Sequence, residues 1–446
     1  MPLPTLPSIP LPLHGVGGRA DLPVPFWLAV YGAGIAVVLS FAALGVLWPT
    51  SRLRPDKGRP LPRLQRVVDS PLLRWPLRAV ALVVSVVLLS AAFLGSNGVE
   101  SNPVPWFLFI VFWVGLVPLS LVFGPVWQVV NPLRTLHELA SRAALSDPER
   151  GLRELPARLG YWPAAAWLAA FAWVELVLPS RTEPRLLGVL ILGYAVVNLL
   201  AAAVYGARWF GRGDGFEVYS ALIGRLAPVG RRPDGRLALR NPLDGLAGLR
   251  PEPGLVGVVV VLLGSTAYDG LTRTKQWKSF AGSAGGWTAV PKATLGLLAC
   301  TAFVGVTYVV ATRLSGRYAG ADPKPLPAAF AHSVVPIAVG YAIAHYFSLL
   351  VLDGQQAWIL ASDPFATGAN WFGTAHWTID FTVVSTRFIA VTQISAIVIG
   401  HILGVVAAHD RAVALFKGRG AIRGQYPLLA VMVVYTLGGV LLLLGT

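Results

Sequence analysis

The chain has 446 residues, of which 55% are hydrophobic and only 13% charged, with a mean hydropathy of +0.64. A soluble chain carries about 25% charged residues, so this composition excludes a water-soluble globular enzyme. The net charge of +15 lies in loops between apolar blocks, a pattern that belongs to membrane topology and lipid contact and not to nucleic-acid binding.

The apolar blocks run to about twenty residues without alternation, which favours membrane-crossing helices over a β-barrel. The expected fold is an all-α, polytopic transmembrane helix bundle of about ten spans. In chain order these are Phe26 to Trp48, Leu77 to Leu94, Val104 to Val122, Trp162 to Leu178, Leu186 to Ala207, Gly254 to Gly270, Ala293 to Ala311, Pro327 to Val351, Arg387 to Ala408 and Pro427 to Leu444. Residues 1–25 precede them as an extended extracytoplasmic segment, in which Pro2, Pro4, Pro7, Pro10 and Pro12 break any signal-peptide helix. Residues 26–446 form the transmembrane domain. Its connection from Arg208 to Pro253 is rich in Gly, Pro and Arg and reads as too poor in apolar residues for a core.

Loop charge gives a direction. The first loop carries Arg52, Arg54, Lys57, Arg59, Arg63, Arg66 and Arg74, and the third, fifth, seventh and ninth loops are basic too. Gly95 to Pro103 and Asp353 to Thr386 have no Lys or Arg. The positive-inside rule then puts the basic loops in the cytoplasm and both termini outside. Arg273, Lys275, Lys278 and Lys292 fit less well. The segment Leu271 to Lys292 that holds them, with Gly282, Ser283, Gly285 and Gly286, is either a folded, re-entrant loop lining a cavity or the mark of a miscounted span.

Two echoes recur. Leu22-Pro-Val-Pro-Phe-Trp-Leu28 opens the first span and Asn102-Pro-Val-Pro-Trp-Phe-Leu108 the third, while Asn131-Pro-Leu and Asn241-Pro-Leu stand in basic loops. They mark either an internal repeat, as in transporters, or common helix-entry grammar. The single cysteine, Cys300, lies in an apolar block and permits no internal disulfide.

Ionisable residues inside spans are costly, so they are the first place to look for function. One set shares the outer side: Glu175, Asp269, His345, the loop residues Asp353, Asp363, His376 and Asp380, Arg387, and His14, Arg19 and Asp21 in the N-terminal segment. Two or three His with one or two carboxylates make the ligand set of a hydrolytic divalent metal site, zinc or a similar ion. Here that set is His14, Asp269 and His345. No H-E-x-x-H spacing accompanies it, and plain pairings compete: Asp269 with Arg273 or Lys275, and Glu175 with Arg181. The Gly-rich stretch around Arg19 cradles an anion or merely pins the segment over the bundle. A second, inward set holds His332, His401, His409 and Asp410. It fits a proton relay, haem or metal passage, or simple helix–helix hydrogen bonding.

The segments His14-Gly-Val-Gly-Gly-Arg-Ala-Asp-Leu-Pro-Val-Pro25, Leu263-Gly-Ser-Thr-Ala-Tyr-Asp-Gly270 and His332-Ser-Val-Val-Pro-Ile-Ala-Val-Gly-Tyr-Ala-Ile-Ala-His-Tyr-Phe-Ser348 resemble, in motif order, a group of actinobacterial multi-spanning membrane proteins labelled fenitrothion-hydrolase-like. The resemblance implies hydrolysis of an organophosphate triester and brings no catalytic residues with it. Three functions follow as expectations. The first is a membrane hydrolase for a small hydrophobic ester, in which Asp269 and His345 activate water or bind metal and Arg19 stabilises negative charge. The second is a proton-coupled transporter or permease using the same residues, with a relay from His345 to His401. The third is a non-catalytic subunit held by partner subunits of a membrane complex.

Overall fold

The structure, a computed structural model, describes residues 26–282, 285–416 and 420–444. It is an all-α polytopic bundle. Its long helices are α1 (Phe26–Leu47), α2 (Pro71–Leu94), α3 (Pro103–Phe123), α4 (Trp162–Leu176), α5 (Pro184–Tyr205), α6 (Leu255–Arg273), α7 (Val290–Ala319), α8 (Val335–Ser348), α9 (Thr386–Leu415) and α10 (Tyr426–Leu444). Among the described residues nine helical stretches are long and apolar enough to cross a membrane. The remaining expected span, α4, has 15 residues, short of the roughly 20 a crossing takes. It nevertheless runs beside α6 for most of that helix's length. Its start meets Gly254, and its Trp173 donates Nε1–H to Thr294 Oγ1 at 3.0 Å, beside the start of α7.

Four helices begin where Asn or Ser precedes Pro. Asn102, Asn131 and Asn241 each accept a backbone N–H two residues on, from Val104, Leu133 and Leu243, and Ser70 does the same for Leu72. Proline at the first helical position has no N–H to lose there. The Asn-Pro echo is therefore capping grammar. Asn102 does more: its Nδ2 donates to the carbonyls of Ala91 and Ser96 at 2.8 and 2.7 Å, closing α2 while it opens α3.

The basic loops gather on one face and interlock. Strands β1 (Arg59–Pro60), β2 (Val229–Arg231) and β3 (Leu237–Leu239) form a small antiparallel sheet in the order β1-β3-β2 that ties the first loop to the fifth. Asp69 pairs with both Arg74 and Arg231. Burial is the largest single influence on Asp69 and raises its pKa, but the hydrogen bond and charge of Arg231, with Arg74 and Gln65, together outweigh it and hold the carboxyl below its ordinary value. At the end of α9, Asp410 accepts from Trp48 Nε1, Ser51 Oγ and the backbone N–H of Arg52 and Leu53 at 2.6–3.2 Å. Replacing Asp410 with Ala strands these donors in a largely buried corner. It is expected to cost about 3 kcal/mol, read as a lowered midpoint of thermal unfolding in detergent. At the opposite face Val30 of α1 packs with Val440 and Leu443 of α10, so both ends of the described chain lie away from the basic loops.

The connection from 208 to 253 corrects the expectation of a coreless loop. It carries a helix, Gly215–Gly224, that enters the bundle from the basic face. Phe216 sits against Phe112, Phe171 and Tyr194 at centroid distances of 4.8, 5.2 and 5.4 Å, about half-way along α3, α4 and α5. Phe210, Val218, Leu222, Ile223 and Leu246 are all buried. The aliphatic and aromatic residues were present in the sequence, but Gly and Arg between them masked their periodicity. By contrast the described part of the segment after α6 does not enter the bundle. It forms a short surface helix, Lys275–Ala281, whose Trp277 stands edge-on to Tyr268 at 5.4 Å.

Candidate functional site

α6 and α8 bring Asp269 and His345 together in the half of the bundle away from the basic loops. α8 is broken on both sides. A 3-10 turn, Ala331–Val334, precedes it, and a π-turn, Leu349–Asp353, follows it. The 3-10 turn tightens the helix and the π-turn widens it, so each re-aims side chains, and such irregular turns recur at functional positions. His345 Nε2 lies 2.7 Å from Asp269 Oδ2, and Tyr346 Oη donates to the same oxygen at 3.0 Å. Arg273, one turn beyond Asp269, points Nη2 at His345 Nε2 from 2.7 Å and stands 4.0 Å from Asp269 Oδ2. Tyr341 stacks on the imidazole at 5.7 Å and 18°. Asp269 and His345 are 3% and 1% exposed, so the set is shut off from bulk water.

One nitrogen in this set is contested. Nε2 either carries a proton and donates to the Asp269 carboxylate, or presents a lone pair and accepts from Arg273. Both contacts are 2.7 Å, and a guanidinium only donates. In a neutral ring the two arrangements are the two tautomers, with the proton on Nε2 or on Nδ1, whereas a ring that has gained a second proton can only donate to Asp269. His345 Nδ1 and Tyr341 Oη have no hydrogen-bond partner among the described residues. A cavity of about 30 Å³ beside Tyr346, lined also by Tyr219, Thr266 and Trp113, has room for one water molecule.

The other expected site residues fall in different places. His14 and Arg19, with Asp21, lie outside the described residues. Asp269 pairs first with His345 and only distantly with Arg273, a change from the plain pairing weighed above. Arg181 turns Nη1 to the Leu178 carbonyl, and no ion pair to Glu175 occurs among the described residues; burial lowers the Arg181 pKa, with Glu175 and Asp269 opposing the shift. Asp363 and Asp380 brace turns of the outer loop, accepting backbone N–H groups of Thr367, Gly368 and Thr382, and His376 and Arg387 are exposed. The inward histidines make separate bonds. His332 Nδ1 meets the Ala329 carbonyl, His401 Nδ1 the Ile397 carbonyl, and His409 both Gln425 Oε1 and the Trp48 carbonyl. Of these bonds only those of His409 reach other elements; those of His332 and His401 are local, and none of the three is bonded to another histidine. Among the described residues no three His, Cys, Asp or Glu side chains are placed to hold a metal ion.

Sequence reading missed a second buried polar set at the root of the re-entrant helix. Asp214 caps that helix, accepting Glu217 N–H at 2.9 Å. Tyr194 Oη donates to Asp214 at 2.6 Å, and Asn131 Nδ2 donates to both Asp214 and Glu217. Arg134 grips Glu217 with two bonds of 2.6 and 3.2 Å. Burial lowers the Arg134 pKa and the Glu217 carboxylate more than restores it, so the guanidinium sits above its ordinary value. The Asp three residues before a Glu at Asp214-Gly-Phe-Glu217 was a legible capping signal.

No known protein family, curated protein or solved structure matches this chain.

Proposed function

We propose that the protein is a proton-coupled transporter of the cell membrane, with Asp269 and His345 as its proton-carrying pair. The observation that supports this best is the contested Nε2. Proton arrival or departure decides whether His345 holds Asp269 or Arg273, and those partners stand one turn apart on α6. A proton is thereby converted into a choice of contact between two helices, as coupling requires. The π-turn after α8 and the re-entrant helix are the broken elements expected of such carriers. In this reading the interlocked basic loops face the cytoplasm and both termini face outward.

The test is solute-dependent proton entry. Purified protein in proteoliposomes with a trapped pH dye should acidify the lumen, under an inward proton gradient, only when the transported solute is present. His345→Gln should reduce that acidification at least tenfold, whereas retention of full flux would refute the role of the pair.

A second reading, hydrolysis of an ester or phosphotriester, draws on the same pair as acid and base, with Arg273 taking the charge-stabilising part first expected of Arg19. The cavity beside Tyr346 has the volume of a water and not of a triester, which is why we place this reading second. A divalent metal on Asp269 and His345, with His14 as third ligand, is its metal-assisted form. Cleavage of a chromogenic phosphotriester by the purified protein, with metal content measured on the same sample, would reverse the order.

A further inference from the structure

A cavity of about 570 Å³ opens on the basic face, within the size range of small-molecule sites. Its wall carries both charge signs: Arg134, Arg208 and Arg212, and Glu149, Glu154 and Glu252. Two of the six are satisfied by each other. Arg212 grips Glu252 at 2.7 and 2.8 Å and lies over the Tyr161 ring at 4.7 Å. Arg208, Glu149 and Glu154 make no ion pair among the described residues and are exposed. An anion would meet the glutamates and a cation the arginines, whereas a solute carrying both charges can meet each with its opposite.

We propose that this cavity binds a short zwitterionic peptide, its carboxylate toward Arg134 and Arg208 and its ammonium toward Glu149 and Glu154. The inference rests on the transporter reading and names the class of solute. The volume is generous for a single amino acid and suits a peptide of a few residues. Arg134 is the residue that gives binding a consequence. It lines the cavity and also holds Glu217 of the re-entrant helix. A carboxylate competing for the guanidinium fork loosens that hold. Tyr219, two residues from Glu217 and so roughly 200° around the helix, lines the small cavity shared with Tyr346, the partner of Asp269. The re-entrant helix is thus linked to the peptide cavity through Arg134 and to Tyr346, the neighbour of the proton pair, through the small cavity that Tyr219 lines.

Three peptides of nearly equal size separate the charges: trialanine, N-acetyl-trialanine and trialanine amide. With purified protein in detergent, trialanine in excess should raise the unfolding midpoint by about 2 °C or more, and the two singly charged forms should not. Arg208→Gln, at an exposed position, should keep the fold and lose the shift. An equal response to all three peptides, or to none, overturns the proposal. Binding is read here without flux. A trialanine shift alongside absent proton coupling condemns the transporter reading alone, and proton coupling to another solute without the shift condemns only the peptide.

Discussion

Asp269→Asn is expected to abolish coupled proton entry, a loss of 100-fold or more in proteoliposomes. Asparagine keeps the volume and still accepts from Tyr346 Oη, which lies 3.0 Å from Asp269, but it neither takes up a proton nor balances Arg273. The guanidinium, whose side chain is 13% exposed, is then left as a buried charge whose best remaining partner is a neutral imidazole. Stripping one member from a buried charged set costs about 3–5 kcal/mol, so stability should fall together with flux. The double variant Asp269→Asn with Arg273→Gln separates the two effects. It removes the stranded charge and should recover most of the lost thermal stability while flux stays absent. Recovery of flux in that double variant would show that Asp269 serves only to neutralise Arg273.

The largest effect on stability is expected at the crossing of α8 and α9. A Cβ on Gly340 would stand 2.4 Å from the Ala396 carbonyl oxygen and 3.0 Å from Gly400 Cα. One on Gly400 would stand 2.6 Å from the Pro336 carbonyl oxygen, and one on Gly404 2.8 Å from that of Ser333. Backbone is in contact with backbone here, with no flexible side chain to yield. Gly400 and Gly404 make a small-xxx-small pair, the spacing that lets membrane helices approach closely. Gly400→Leu is expected to push the helices apart at a cost of about 3 kcal/mol or more. His345 lies on the displaced α8, so the His345–Asp269 contact should be lost with it. Unfolding of the purified variant by a graded denaturing detergent reads the first effect. An unchanged midpoint would mean that the crossing has slack.

The sequence disclosed the parts of this molecule that depend on bulk properties. Long apolar runs located each long helix, but α2 begins six residues before its expected start, α7 and α9 run eight and seven residues past their expected ends, and α8 breaks into turns at Leu349–Asp353. Widening by one residue leaves no trace in hydropathy. Loop charge foretold which connections share a face. Depth alone put Asp269 and His345 on one side, yet it could not say that they touch, because contact depends on the rotation of α6 against α8. That rotation is fixed by glycine positions such as Gly270, where an added Cβ would meet Tyr341 Oη at 2.7 Å. The re-entrant helix escaped notice for a different reason. Ten residues flanked by Gly and Arg are too few for a span and too polar at their edges for a core, and only the surrounding rings of Phe112, Phe171 and Tyr194 reveal where Phe216 goes.

The interlocking of the basic loops also sets a timetable for synthesis. β1 at Arg59–Pro60 has no partner until β3 at Leu237–Leu239 leaves the ribosome, and Trp48 waits 362 residues for Asp410. At about 5–20 residues per second, that last wait is roughly 20–70 s, during which the first loop's donors stay open to water, lipid headgroups or a chaperone. A nascent chain stalled before residue 410 should therefore hold its spans in the bilayer while its basic face remains unlatched and open to proteases.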